Sequence, residues 1–155
     1  MSMWVETAER TIPASPEAIF ALIADPTRHK DFDGSGTVRD ATDVPATLTL
    51  GAKFGMHMEF GGKYTMENTV IEYEPNRRIA WQARPPRGKG GAWRQLFGGR
   101  IWRYELDPVA GGTRVRESWD VSKERNKWVV RAYGPKTRKN MAATLERIEN
   151  VLASR

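Results

Sequence analysis

Met141-Ala142-Ala143-Thr144-Leu145-Glu146-Arg147-Ile148-Glu149-Asn150-Val151-Leu152 decides the fold of this sequence. Met141, Leu145, Ile148 and Leu152 recur at spacings of four, three and four, one apolar stripe along a helix of about three turns. Lys136, Arg138, Lys139, Glu146, Arg147 and Glu149 fill its other faces. A helix with one apolar stripe needs one apolar surface to lie on. Just upstream, Trp128 to Tyr133 is a shorter apolar segment, cut off by Gly134-Pro135 and read as a separate helical piece or a kinked beginning.

The surface that receives this helix comes from strands. Met3 to Ile12, with Val5, Thr7 and Thr11, reads as the first and stops at Pro13. Ser15 is a helix N-cap, Pro16 takes the first helical position and Glu17 the first turn. Ile19, Phe20, Leu22 and Ile23 form this helix's stripe, and Asp25-Pro26 ends it, because the residue before proline is pushed out of the α region. A second helical turn, Pro26 to Phe32, is broken by Asp33-Gly34-Ser35-Gly36.

Thr37 to Val44 is a polar strand candidate. Ala52 to Phe60 alternates cleanly, with Phe54, Met56, Met58 and Phe60 on one face and Gly55, His57 and Glu59 on the other. Gly61-Gly62 turns into Lys63 to Glu74, and Pro75-Asn76 turns into Arg78 to Arg84, which places Ile79, Trp81 and Ala83 together. Arg100 to Pro108 groups Trp102, Tyr104 and Leu106. After Gly111-Gly112, Thr113 to Ser122 groups Val115, Glu117, Trp119 and Val121. An antiparallel meander with turns this short must curl to bury one face, and only the last helix is long enough to cover it. The expected architecture is α+β: a curved antiparallel sheet of about seven strands, two short helices after the first strand, and a long C-terminal helix packed across the sheet over an apolar cavity. One domain, 1–155, is expected, and a cavity lined by Trp, Met, Phe and Tyr suits a small hydrophobic ligand.

Composition excludes several classes. No cysteine is present, so disulfides, thiolate catalysis and Cys-ligated zinc are ruled out, and a reducing, cytoplasmic setting is expected. The opening residues do not read as a signal peptide, and no apolar run approaches the roughly 20 residues that span a bilayer, so no stable membrane insertion is expected. The net charge of +6 is spread among acidic partners except in Arg84, Arg87, Lys89, Arg94, Arg100 and Arg103, a stretch without acids read as a solvated loop and strand ends. Nucleic acid is not an expected partner, and a monomer is the simplest assembly.

The order of segments resembles the START-like helix-grip (SRPBCC) superfamily, of START/Bet v 1-like fold, and within it the polyketide cyclase/dehydrase group. The residues that carry the resemblance are Ile12-Pro13-Ala14-Ser15-Pro16-Glu17-Ala18-Ile19-Phe20-Ala21-Leu22-Ile23-Ala24-Asp25-Pro26, Val70 to Trp81, Gly111 to Ser118 and Asn140 to Ile148. It implies a cavity for lipids, polyketides, sterols, quinones or plant hormones. It implies no catalytic residue, since the shared motifs are a capped helix, turns and a packing helix.

The candidate site follows from the strand faces. Phe54, Met56, Met58, Asn68, Trp81, Trp102, Tyr104, Trp119, Met141 and Leu145 are expected to meet the ligand. Glu117 is the one candidate catalytic residue: a carboxyl in an apolar cavity has its pKa raised, which suits an acid, a base or a polar anchor, with Asn68, Tyr64, Tyr73 and Tyr104 as compensating partners. Trp93, Leu96 and Phe97, in the Gly- and Arg-rich loop 85–99, are expected to form a lid. His29, between Arg28 and Lys30, and His57 are both expected at the surface, and neither has metal-ligand spacing. Gly34-Ser35-Gly36 is not a nucleophile elbow and Gly88-Lys89-Gly90-Gly91 lacks phosphate-loop spacing, so no metal or other cofactor is expected. A carrier or sequestering protein is the leading reading. A cyclase or dehydratase using Glu117 is the alternative, and a co-chaperone-like partner-binding module the weaker one.

Overall fold

The computed structural model describes residues 2–86 and 93–154. Strand β1 (Val5–Ile12) leads through Pro13 to helix α1 (Pro16–Ile23). Ser15 caps α1 as its sequence demands, its hydroxyl accepting from the Ala18 amide at 3.2 Å. Asp25 then caps a 3-10 turn, Pro26–Arg28, by accepting from the Thr27 amide, and the chain continues into α2 (His29–Phe32). Strands β2 (Val38–Thr42), β3 (Lys53–Glu59), β4 (Lys63–Glu74), β5 (Arg78–Arg84), β6 (Arg100–Val109) and β7 (Gly112–Asp120) follow. The short α3 (Lys127–Arg131) precedes the long α4 (Gly134–Ala153).

The seven strands form one antiparallel sheet in the order β1-β7-β6-β5-β4-β3-β2. Only β1 leaves the meander, pairing with β7 across the edge where the chain's two ends meet. Turn chemistry sets the registers: in the β4–β5 turn, Asn76 takes φ 64°, a left-handed value that asparagine tolerates, directly after Pro75. A bulge in β4 between Val70 and Glu72 bends the sheet at its middle. The α4 stripe packs as its spacing requires, with Met141, Leu145 and Ile148 fully buried. Ion pairs Arg10–Glu149 and Arg138–Glu6, each at 3.0 Å, fasten α4 alongside β1.

At the other side of α4 the Asp33–Gly36 turn is pressed against the helix backbone. The Gly34 amide donates to Thr144 Oγ1 at 2.8 Å, and Arg147 donates to the Asp33 carbonyl at 2.5 Å. The core that results lies in two parts. Ile12, Phe20, Leu22, Phe54, Val70, Ile79, Leu145 and Ile148 belong to the larger, while Trp119, Val121, Val130 and Met141 form the smaller. Between the sheet and the first half of α4 the packing opens into a cavity.

Candidate ligand cavity and its buried carboxyl

Inward rows of side chains from neighbouring strands build the cavity wall. Residues directly opposite in an antiparallel pair share a face, so register alone aligns them. Phe54 stands opposite Asn68, Met56 opposite Met66 and Met58 opposite Tyr64. Trp81 is opposite Trp102, Trp102 opposite Trp119, and Tyr104 opposite Glu117. No bulge interrupts β7, so alternation holds and Glu117 faces inward.

The cavity has a volume of about 790 Å³ and opens to solvent. Of the ten residues expected to meet a ligand, nine stand on its wall: Phe54, Met56, Met58, Asn68, Trp81, Trp102, Tyr104, Trp119 and Met141. Leu145 does not. It sits one turn beyond Met141, where α4 has closed onto α1 and β1, and is fully buried in the larger core. Thr137, Asn140 and Thr144 face the cavity instead, flanking Met141 on the same side of the helix.

Glu117 is 3 % exposed, and its Oε1 has no hydrogen-bond partner among the described residues. Burial pushes its pKa up to about 8, which the adjacent Tyr104 hydroxyl offsets in part and the Asp33 carboxylate reinforces. At pH 7 the carboxyl is therefore mostly protonated. Tyr104 is held well above the ordinary phenol value by its own burial and by Glu117, so it stays neutral too. Of the four compensating partners expected, Tyr104 is the one that bears on Glu117; Tyr73 packs edge-on against Phe20 at 5.7 Å.

His29 is a correction. It is not at the surface but 6 % exposed on the cavity wall, stacked on Trp81 at 5.0 Å and edge-on to Phe32 and Phe54. The basic neighbours Arg28 and Lys30 suggested solvent, but a three-residue step puts His29 on the same face of α2 as Phe32, which a periodicity argument could have caught. Its Nε2 lies 2.8 Å from the Ile23 carbonyl, which can only accept, so Nε2 carries the hydrogen. Desolvation lowers the imidazole pKa, against smaller opposing effects of that hydrogen bond and of Asp25 and Asp33. The ring is neutral at pH 7, with a lone pair on Nδ1 and no partner for it among the described residues.

This gives a pH prediction. Below the unfolded value of 6.5 the unfolded chain binds a proton that folded His29 resists, so stability is lost as pH falls through 6.5 toward the lowered folded value. His29→Phe is expected to flatten that acid limb in thermal melts taken from about pH 4 to 8. An acid limb as steep as in the parent protein would show that other groups cause it.

His57, in contrast, is exposed, its Nδ1 3.0 Å from Thr65 Oγ1. No cluster of His, Cys, Asp or Glu suited to a metal ion occurs among the described residues. Trp93 and Phe97 reach the cavity, whereas Leu96 is 57 % exposed and points away. Their segment is fixed to the chain after β7. Buried Glu124 accepts from the Gly98 and Arg100 amides, and Arg125 and Asn126 each donate to a carbonyl of the loop, at 2.6 Å. The expectations on Arg87, Lys89 and Gly88 to Gly91 lie outside the described residues. No described helix is long and apolar enough to cross a membrane.

Solved structures share this architecture. A protein from Arthrobacter aurescens matches with a TM-score of 0.75 at 16 % identity, over 100 % of this chain and 90 % of that one. One from Nitrosomonas europaea matches at 0.73 and 15 %, over 99 % and 97 %. The Aha1 dimer from Colwellia psychrerythraea matches at 0.62 and 18 %, over 96 % and 95 %. At these identities the likeness is one of fold. By sequence, an uncharacterised protein of Mycobacterium tuberculosis is 40 % identical over 110 residues, 69 % of this chain and 43 % of that protein. The chain thus spans less than half the length of the curated relatives it matches. The family described as polyketide cyclase / dehydrase and lipid transport matches residues 3–153, and to that family the chain belongs.

Proposed function

We propose that the protein holds a small, mostly apolar molecule bearing a hydroxyl or carbonyl group, as a carrier or sequestering protein. The observation that carries this reading is the unpartnered Oε1 of Glu117 at the wall of an apolar cavity of about 790 Å³. A buried polar atom without a partner costs roughly 1–3 kcal/mol, and a ligand that satisfies it recovers that cost on binding. A protonated carboxyl donates to a carbonyl or accepts from a hydroxyl, and Tyr104 stands beside it to complete the pair. Trp81, Trp102 and Trp119 offer flat apolar faces, while Met56, Met58 and Met66 adapt to shape. Trp93 and Phe97 serve as part of the cover. A ligand carboxylate is disfavoured near Glu117, because a negative charge in that apolar site would be poorly solvated and would face the Asp33 carboxylate.

The test is an NMR titration of labelled protein with fatty acids, flavonoids, aromatic polyketides and quinones. Shifts are expected at Met56, Met58, Trp81, Trp102 and Glu117 with the hydroxylated or carbonyl-bearing aromatics, and Glu117→Gln should weaken them by about tenfold or less. Shifts from none of the panel would sink the reading.

One observation favours an enzyme of the cyclase or dehydratase kind as a second reading: a protonated acid, Glu117, and an unpartnered neutral base, His29 Nδ1, share one cavity. In a dehydration, Glu117 would give its proton to a departing hydroxyl. His29 would take one from the adjacent carbon, so that a double bond forms and water leaves. A mass increment of minus one water in a bound β-hydroxy ketone, lost in both Glu117→Gln and His29→Gln with binding retained, would establish it.

A further inference from the structure

The cavity mouth is bordered by three segments: the β3–β4 hairpin from Phe60 to Met66, the loop from Trp93 to Arg100, and the chain from Val130 into the first turns of α4 at Asn140, continuous with the adjoining stretch from Lys123 to Val129. Phe60, Trp93 and Tyr133 of these segments all border the cavity. The segments lean on each other. Arg94 lies over the Tyr64 ring at 4.4 Å, Lys136 lies over the Phe60 ring at 5.6 Å, and Asn126 holds the Leu96 carbonyl.

Two independent features concentrate here. Among the described residues, eight large hydrophobic side chains are exposed, and six belong to this rim: Phe60, Trp93, Leu96, Trp128, Val129 and Tyr133. The same three segments hold ten of the chain's 25 Lys and Arg residues and one of its 19 acids, leaving fifteen basic against eighteen acidic residues elsewhere. That one acid, Glu124, is buried and occupied by the loop amides and Arg100. Even with Glu6, which pairs with Arg138 from β1, the positive charge of the protein is concentrated in these segments, where the apolar side chains are exposed and the cavity opens.

We propose that this end docks on an anionic phospholipid surface, with the cavity mouth against the membrane. Tryptophan and tyrosine rings settle at the headgroup level, Leu96 and Val129 enter the acyl boundary, and lysine and arginine heads reach the phosphates. Lys63, Arg94, Lys127 and Lys136 make no ion pair among the described residues, so lipid phosphate displaces no carboxylate from them, and Arg94, Lys127 and Lys136 lie over aromatic rings at the surface. Nucleic acid would use the cations but has no place for Leu96 and Val129, which is why the bilayer is the better fit. A ligand passing between membrane and cavity would then never cross water. The docking itself does not depend on which ligand the cavity takes.

The test is co-sedimentation of the whole chain with phosphatidylcholine vesicles, with and without about 30 % phosphatidylglycerol. Binding is expected with the anionic vesicles, little with phosphatidylcholine alone, and a marked loss on raising salt from about 0.1 to 0.5 M. Trp93→Ala with Leu96→Ala should lower partitioning at least tenfold, and Lys136→Glu about fivefold or more, since each cation near such a surface contributes about that factor. Leu50→Ala, an exposed apolar site away from the rim, should change nothing. No binding to anionic vesicles, an equal loss from Leu50→Ala, or capture of an RNA oligonucleotide in preference to the vesicles would each overturn the proposal. Vesicle binding with an unresponsive NMR panel would leave docking standing and the cavity reading refuted.

Discussion

Glu117→Gln is expected to make the folded protein more stable by on the order of 3 kcal/mol at pH 7, while weakening ligand binding. The sign follows from the raised pKa. Below about 4.5 the carboxyl is protonated in both the folded and the unfolded chain and adds no pH-dependent cost. Between 4.5 and about 8 the unfolded chain releases its proton and folded Glu117 keeps it, so stability falls as pH rises through that window. Above about 8 the loss is complete. Glutamine has nearly the same shape and no charge to desolvate, so the variant should lack this decline and keep only the opposing acid limb of His29. Denaturant titrations of both proteins at several values between about pH 4.5 and 9 measure this as a difference, which cancels the opposing His29 limb. Parallel curves would mean that Glu117 is ionised and solvated in the cavity, and the polar-anchor reading would lose its basis. A more stable variant that binds less well would be the ordinary signature of a functional group kept at a cost to the fold.

The second large effect is expected at Gly34. A Cβ placed there would meet the Asn140 carbonyl, come within 2.7 Å of the Thr144 amide nitrogen and lie 2.8 Å from the Ala143 methyl group. Two of those neighbours are helix backbone and cannot rotate away, so Gly34→Ala must push the Asp33–Gly36 turn off α4. The Gly34–Thr144 hydrogen bond goes with it. A loss of about 2–4 kcal/mol is expected, or roughly 5–15 °C in melting temperature for a domain of this size. Because Asp33, Ser35 and Thr144 border the cavity, the same change should also alter ligand affinity. A melting temperature within about 2 °C of the parent would show that the turn and helix separate freely.

Much of this protein is legible from residue spacing. The four-three-four stripe of α4, the Ser15-Pro16-Glu17 start of α1 and the period-two alternation of β3 each encode their element locally, because capping and periodicity act within a few residues. Strict alternation likewise placed Glu117 with Val115 and Trp119, and the uninterrupted β7 register is what makes that reading possible. Local rules also account for the inward faces that carry Trp81, Trp102 and Tyr104.

Contacts between distant segments are a different matter. His29 sits between two basic residues, and only the arrival of Trp81 and Phe54 from β5 and β3 encloses it. Leu145 and Met141 share one stripe, yet one fills the core and the other borders the cavity. The division is set by where α1 and β1 close against α4, which no helical period can express. The gathering of the basic and apolar rim residues has the same character, since its three segments are more than twenty residues apart and meet only at the cavity mouth. Spacing along the chain fixes which elements form and which faces are apolar. Which side chains lose water, lose partners or gain shifted pKa values depends on long-range packing, and that was decided by the tertiary structure alone.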